Sequence, residues 1–220
     1  MTPRLRLILL IIVAFIVDYV PFINLPLLWS ETFFHEMSHG LAAIITGGQI
    51  VNITLNYDGS GLCTTRGGVR FIVTFSGYAG SALWGVLLYR ISSALSPTKA
   101  KFVAIAMIAM TVLTLLLWAR NLSTIVILGI LLVTWLLPLY TSLRGVITYF
   151  IQLIAVFVIL DAIRSPLYLL DGRDLGDGAT LASLSWIPEI IWVAVWFSIA
   201  LGSLLLLWKH SGNKTDSNLQ

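Results

Sequence analysis

Seven apolar runs, most of them long enough to cross a lipid bilayer, leave little of this chain to build anything else. They cover residues 7–20, 27–46, 69–95, 102–119, 124–140, 145–168 and 187–208. A bilayer core takes about 20 residues of helix to cross. Inside it every peptide group must find its partner within a helix or a closed barrel. The spacing therefore predicts an all-α polytopic membrane protein with about seven transmembrane helices. Composition agrees: 58% of the 220 residues are hydrophobic and 10% charged, where soluble domains carry about a quarter charged. The net charge of +3 comes from basic residues scattered at run ends. That placement suits a lipid bilayer as partner and argues against nucleic acid. The single cysteine, Cys63, allows no intrachain disulfide. Arg4 and Arg6 before the first run resemble a signal-peptide start, but no small-residue cleavage site follows, and a retained helix is expected. The chain reads as one membrane domain, 1–208, with a polar tail, 209–220, expected to be disordered.

Between the second and third runs the pattern changes. Val51, Ile53 and Leu55 alternate with Asn52, Thr54 and Asn56, Asp58-Gly59 marks a turn, and Leu62-Cys63-Thr64 follows. A period of two around a turn predicts a short membrane-proximal β-hairpin. In the third run Gly77, Ser81 and Gly85 recur every four residues, a stripe that lets another helix approach closely. The fourth and fifth runs are almost purely apolar.

The second run carries the chemistry. It contains Phe34-His35-Glu36-Met37-Ser38-His39-Gly40, an H-E-x-x-H sequence. Four residues are about one helical turn, so His35 and His39 stand on one face. Two imidazoles so placed can share one Zn²⁺, and Glu36 beside them can take a proton from an activated water. Chance or a structural use of the same residues is the alternative. Ionisable groups at membrane depth are costly and mostly functional, which favours the metal. Glu31, one turn earlier on that face, is read as a residue near the helix start, favoured by the macrodipole.

A catalytic zinc takes three protein ligands and keeps one position open. The remaining histidine, His210, falls on the opposite side of a seven-span topology, which leaves a carboxylate or Cys63. Three of the ten acidic residues, Asp171, Asp174 and Asp177, crowd into 171–177, on the side where the hairpin emerges. A solvated loop with Asp-Gly turns would have the same composition.

These residues resemble the site-2 protease class of intramembrane zinc metallopeptidases, the M50 family. The resemblance rests on Phe34-His35-Glu36-x-x-His39 with Ala42-Ala43, on Thr46-Gly47-Gly48 and the hairpin, and on Gly77-Tyr78-x-Gly80-Ser81. It extends to Gly176-Asp177-Gly178-Ala179-Thr180-Leu181-Ala182 with Pro188 and Trp192, and is strongest to the compact M50B-like branch. It implies Glu36 as catalytic base, with His35, His39 and Asp177 as zinc ligands. Asp171 competes, because Pro166-x-x-x-Leu170-Asp171-Gly172 is similar to another form of the family's third-ligand motif. In that form an asparagine precedes the proline, where this chain has Ile163. The expected function is hydrolysis of a peptide bond in or near a transmembrane segment of a membrane-protein substrate. The hairpin edge would pair with the unwound substrate strand. Residence in a bacterial cytoplasmic membrane is expected. A non-proteolytic scaffold that keeps the metal site, or a metal or solute transporter, are the alternatives.

Overall fold

Helices follow the apolar runs, but their directions and ends do not all follow from them. A computed structural model describes residues 1–140, 145–173 and 175–216. Helix α1 spans Pro3–Asp18 and α2 spans Leu25–Ile45, followed by strands β1, Gln49–Leu55, and β2, Gly61–Arg66. Then come α3, Arg70–Ala94, α4, Pro97–Leu117, α5, Leu122–Leu136, and α6, Val146–Arg164. A 3₁₀ segment, Ser165–Asp171, leads to α7, Asp177–Ser185, and α8, Glu189–Asp216. Several starts are chemically marked. Thr2 caps α1 ahead of Pro3, Ser96 caps α4 ahead of Pro97, and Asn121 accepts from Thr124 N at 2.9 Å to open α5.

Among the described residues, five helical segments are long and apolar enough to cross a membrane: Arg70–Ala94, Thr98–Leu117, Leu122–Leu139, Val146–Asp171 and Glu189–Ser211. The protein is thus a mostly helical integral membrane protein with one small two-stranded sheet. Helix α1 has only 16 residues, about 24 Å at 1.5 Å per residue. Helix α2 has 21 residues, but Glu31, His35, Glu36 and His39 lower its hydropathy.

The expectation of seven crossings is not confirmed. An odd number would leave the chain ends on opposite faces, yet the Arg4 guanidinium lies 5.5 Å from the Trp208 ring centre, at the far end of α8. Arg6 lies over Tyr149 at the start of α6, while Asp18 pairs with Arg164 at its end. So α1 and α6 run in the same direction. Helix α3 runs opposite to α6, with Gly85 against Ile159 and Ser93 bonded to Gln152. It also runs opposite to α2, with Ser81 beside Glu31 and Val69 beside Thr46. Helices α1 and α2 therefore point the same way, where two successive crossings would be antiparallel. Apolar runs carry no direction, and α1 is too short to force a full passage of its own.

The hairpin departs from expectation too. Its two strands pair antiparallel as expected of a hairpin, with Ile53 opposite Cys63 and Leu55 opposite Gly61. The alternation itself holds for Ile53 and Leu55, which are buried, but an irregularity between Ile50 and Asn52 turns Val51 outward and buries Ile50 in its place. The hairpin also folds back along α2 instead of standing beyond its end. At the base, Gly48 is so close to the Gly67 and Gly68 backbone that a Cβ would come within 2.6 Å. At the turn, Thr32 Oγ1 donates to Gly59 O at 2.6 Å. The outer edge of β1 is fixed to the joint between α4 and α5, with Ile53 N donating to Trp118 O and Leu55 N to Thr124 Oγ1.

Helix α6 forms the centre of the core, with Ile151, Ile154, Ala155, Val158 and Ile159 all buried. Past Trp208 the tail expected to be disordered continues as helix α8 through Asp216. Residues 217–220 lie outside the described residues.

Candidate metal centre

The H-E-x-x-H segment lies in the middle of α2, on the face packed against α3. Helical spacing brings His35 Nε2 and His39 Nε2 to 3.0 Å from each other. Asp177 Oδ2 lies 3.2 Å from both. Three ligand-type atoms from two distant segments thus make one small triangle, and no other such His, Cys, Asp or Glu group is present among the described residues.

Each corner is held from outside. His39 Nδ1 donates to Val73 O at 2.7 Å. That bond leaves Nε2 of a neutral ring with its lone pair towards the triangle, a usual support for a metal-binding histidine. His35 packs edge-on against Tyr78, with ring centres 4.5 Å apart, and Tyr78 in turn leans on Trp196 at 4.8 Å. Asp177 opens α7 and follows Gly176, whose φ of +94° suits glycine. Burial alone would raise the Asp177 carboxyl, but His39 and His35 outweigh it and hold it well below the usual range. Above the triangle sits Gly77, where a Cβ would fall 2.5 Å from Nε2 of both histidines. The small-residue stripe is therefore divided: Gly77 and Ser81 face α2, whereas Gly85 faces α6.

Glu36 is buried beside the triangle, without being part of it. It packs on Gly61 of β2 and accepts from the backbone of Cys63. A cavity of about 690 Å³ reaches these groups and is lined by His35, Glu36, His39, Tyr78, Asp177 and the β2 edge. A second, of about 400 Å³, meets it at His35, Glu36, Gly61 and Tyr78 and is lined beyond them by Glu31, Thr32, Asp58 and Asp161.

The remaining candidates fall elsewhere. Asp171 turns into its own exposed loop, accepting from Arg173 N at 2.9 Å and pairing with the Arg173 guanidinium. Asp174 lies outside the described residues. Burial, and then the nearby Glu36 carboxylate, push the Cys63 thiol up to about 12, and its sulfur is not in the triangle. Glu31 is past the first turn of α2, so the macrodipole reading is replaced by a tertiary one: Ser81 Oγ donates to its Oε1 at 3.1 Å, both residues being buried. Ser81→Ala is expected to leave that carboxyl short of a donor and to cost about 1–3 kcal/mol. Thermal unfolding in detergent reads this, and an unchanged midpoint would refute it. Helix α7, Tyr78 and the Val73 carbonyl were not anticipated as parts of the site. The signal that could have found α7 was Gly176-Asp177 opening a stretch with Leu181 and Leu184 at helical spacing.

The model of the Peptidase M50B-like family matches residues 7–207. The chain belongs to that family. Neither a curated protein nor a solved structure matches it. An M50B-like chain is a membrane metallopeptidase in general terms, and the donor set fits a metal. Four ligands about 2.0–2.1 Å from a tetrahedral zinc stand about 3.3 Å from one another, close to the 3.0–3.2 Å edges found here. Two imidazoles and one carboxylate are ligands that zinc accepts.

Proposed function

We propose that this M50B-like protein is a zinc-dependent intramembrane endopeptidase that cleaves membrane-protein substrates. The observation that carries the reading is the triangle of His35, His39 and Asp177 beside a buried glutamate, in a helix packed among membrane spans. The first three would hold the metal and Glu36 would act as base. When bound, zinc supplies Lewis acidity, which polarises a carbonyl and makes water acidic enough to deprotonate near neutral pH. Everything else falls to the protein. Glu36 takes the proton of the attacking water and returns it to the leaving amine nitrogen. The cavity shared by Glu31, Asp161 and Glu36 gives water a polar way in.

A substrate helix hides its carbonyls in its own hydrogen-bond ladder and must unwind before cleavage. Strand β2 is suited to receive the freed strand. The outer edge of β1 is occupied by Trp118 and Thr124, whereas β2 lines the cavity beside Glu36. With α1 and α2 sharing one passage, the spans are read as six passages in a lipid bilayer. A bacterial cytoplasmic membrane is the proposed location.

Bound zinc per chain tests the proposal, measured for wild type, Asp177→Asn and Asp171→Asn purified in mild detergent. About one zinc is expected for wild type and Asp171→Asn, and a loss for Asp177→Asn. Folded wild type that takes up no added zinc would remove the enzymatic reading and leave a scaffold.

A further inference from the structure

One residue ill suited to an aqueous setting is Trp186, at the joint between α7 and α8. It is 94% exposed, and its φ of +62° places it in the left-handed region. Its backbone N–H donates to Ala182 O, closing α7 in the position where helices usually end on glycine. A large indole there sits on a strained backbone, and the protein leaves its ring almost wholly uncovered. Leu184 and Ile187 beside it, and Ile190 one turn on, are also exposed. Span α8 begins at Glu189, three residues later. The joint therefore stands at the level where the protein enters the bilayer, and tryptophan is the residue that favours that level.

The joint is firmly tied to the helix that carries Asp177. Ser185 Oγ donates to Leu181 O and accepts from both Ile187 N and Trp192 Nε1. Gly178, next to Asp177, lies against the Glu189 side chain at the head of α8. Displacing the joint would displace α7, the helix whose first residue is Asp177.

We infer that Trp186, with Leu184 and Ile187, is an interfacial anchor inserted at the headgroup–acyl boundary, and that this lipid contact positions Asp177 against His35 and His39. The partner is the lipid surface itself. The coupling rests on the metal reading above, whereas the anchor does not.

Two measurements in phospholipid nanodiscs test this. A nitroxide attached at Trp186→Cys, in a Cys63→Ser background, reports depth through collision with oxygen and with a water-soluble nickel chelate. Shielding from the chelate with access to oxygen is expected; free access to the chelate would overturn the anchor. Zinc affinity is then compared by chelator competition for wild type, Trp186→Gly and Trp186→Phe. Glycine relieves the backbone, so a purely local role for Trp186 predicts zinc held as tightly or more so. The anchor predicts binding weakened about tenfold in Trp186→Gly and close to wild type in Trp186→Phe. Undiminished affinity in Trp186→Gly overturns the coupling. A wild type without zinc but with a shielded label overturns the metal reading and the coupling together, and supports the anchor alone.

Discussion

Replacing Gly77 with alanine is expected to empty the metal site while making α3 a better helix. An alanine in a helix interior is favoured over glycine by about 1 kcal/mol, so propensity alone predicts a gain. Space predicts the reverse for the site. The added Cβ would stand 2.5 Å from Nε2 of His35 and of His39, well inside van der Waals contact. The methyl group has no flexible end to move aside, and both rings are backed, one by Val73 O and one by Tyr78. The histidines must part or α3 must shift, and either opens the triangle. Zinc affinity is expected to fall by about a hundredfold, the upper end of what loss of ligand support costs, with circular dichroism unchanged. A folded Gly77→Ala protein that holds zinc as tightly as wild type would show that the triangle is not where the metal sits.

The second large effect separates chemistry from binding. Glu36→Gln keeps the shape of the side chain and its ability to accept from Cys63, and Glu36 is outside the ligand triangle. Zinc content should therefore stay at the wild-type level. The amide cannot take a proton from water, and loss of a positioned base lowers the rate by about 10²–10⁴. Cleavage of a reconstituted transmembrane peptide is the readout. Retained cleavage would exclude Glu36 as base, and loss of zinc along with activity would mean that it helps to build the site. The pair of results distinguishes Glu36→Gln, inactive and loaded, from Gly77→Ala, inactive and empty.

What the sequence disclosed was the part fixed locally. His35 and His39 are four apart on one helix, so their convergence needs only helical geometry. The hairpin was legible because alternation has a period of its own, although its register, with Ile53 opposite Cys63 and an irregularity at Val51, was not. Where it would lie was not, since that depends on Thr32 meeting Gly59 and on β1 meeting the α4–α5 joint. Asp177 is 142 residues from His35, and only the resemblance of its surrounding residues to a family motif, not composition, separated it from Asp171. The difference is made by Arg173, which binds Asp171 within its own loop, and by α7, which begins at Asp177. Glycine and aspartate dominate 171–178, a composition that reads as loop up to the first residues of a helix. Gly77 shows the same limit from the other side: a small residue in a stripe signals close approach but not what approaches.

The meeting of Arg4 with Trp208 has a consequence for how this protein can be joined to others. On the six-passage reading proposed above, a polypeptide attached before Thr2 and one attached after Asp216 emerge into the same aqueous compartment. A sensor domain, a binding partner or an affinity tag could thus be added at either terminus and meet the same surroundings. The hairpin, the acidic loop and the Trp186 joint lie at the opposite end of the bundle, where neither addition would obstruct the approach of a substrate.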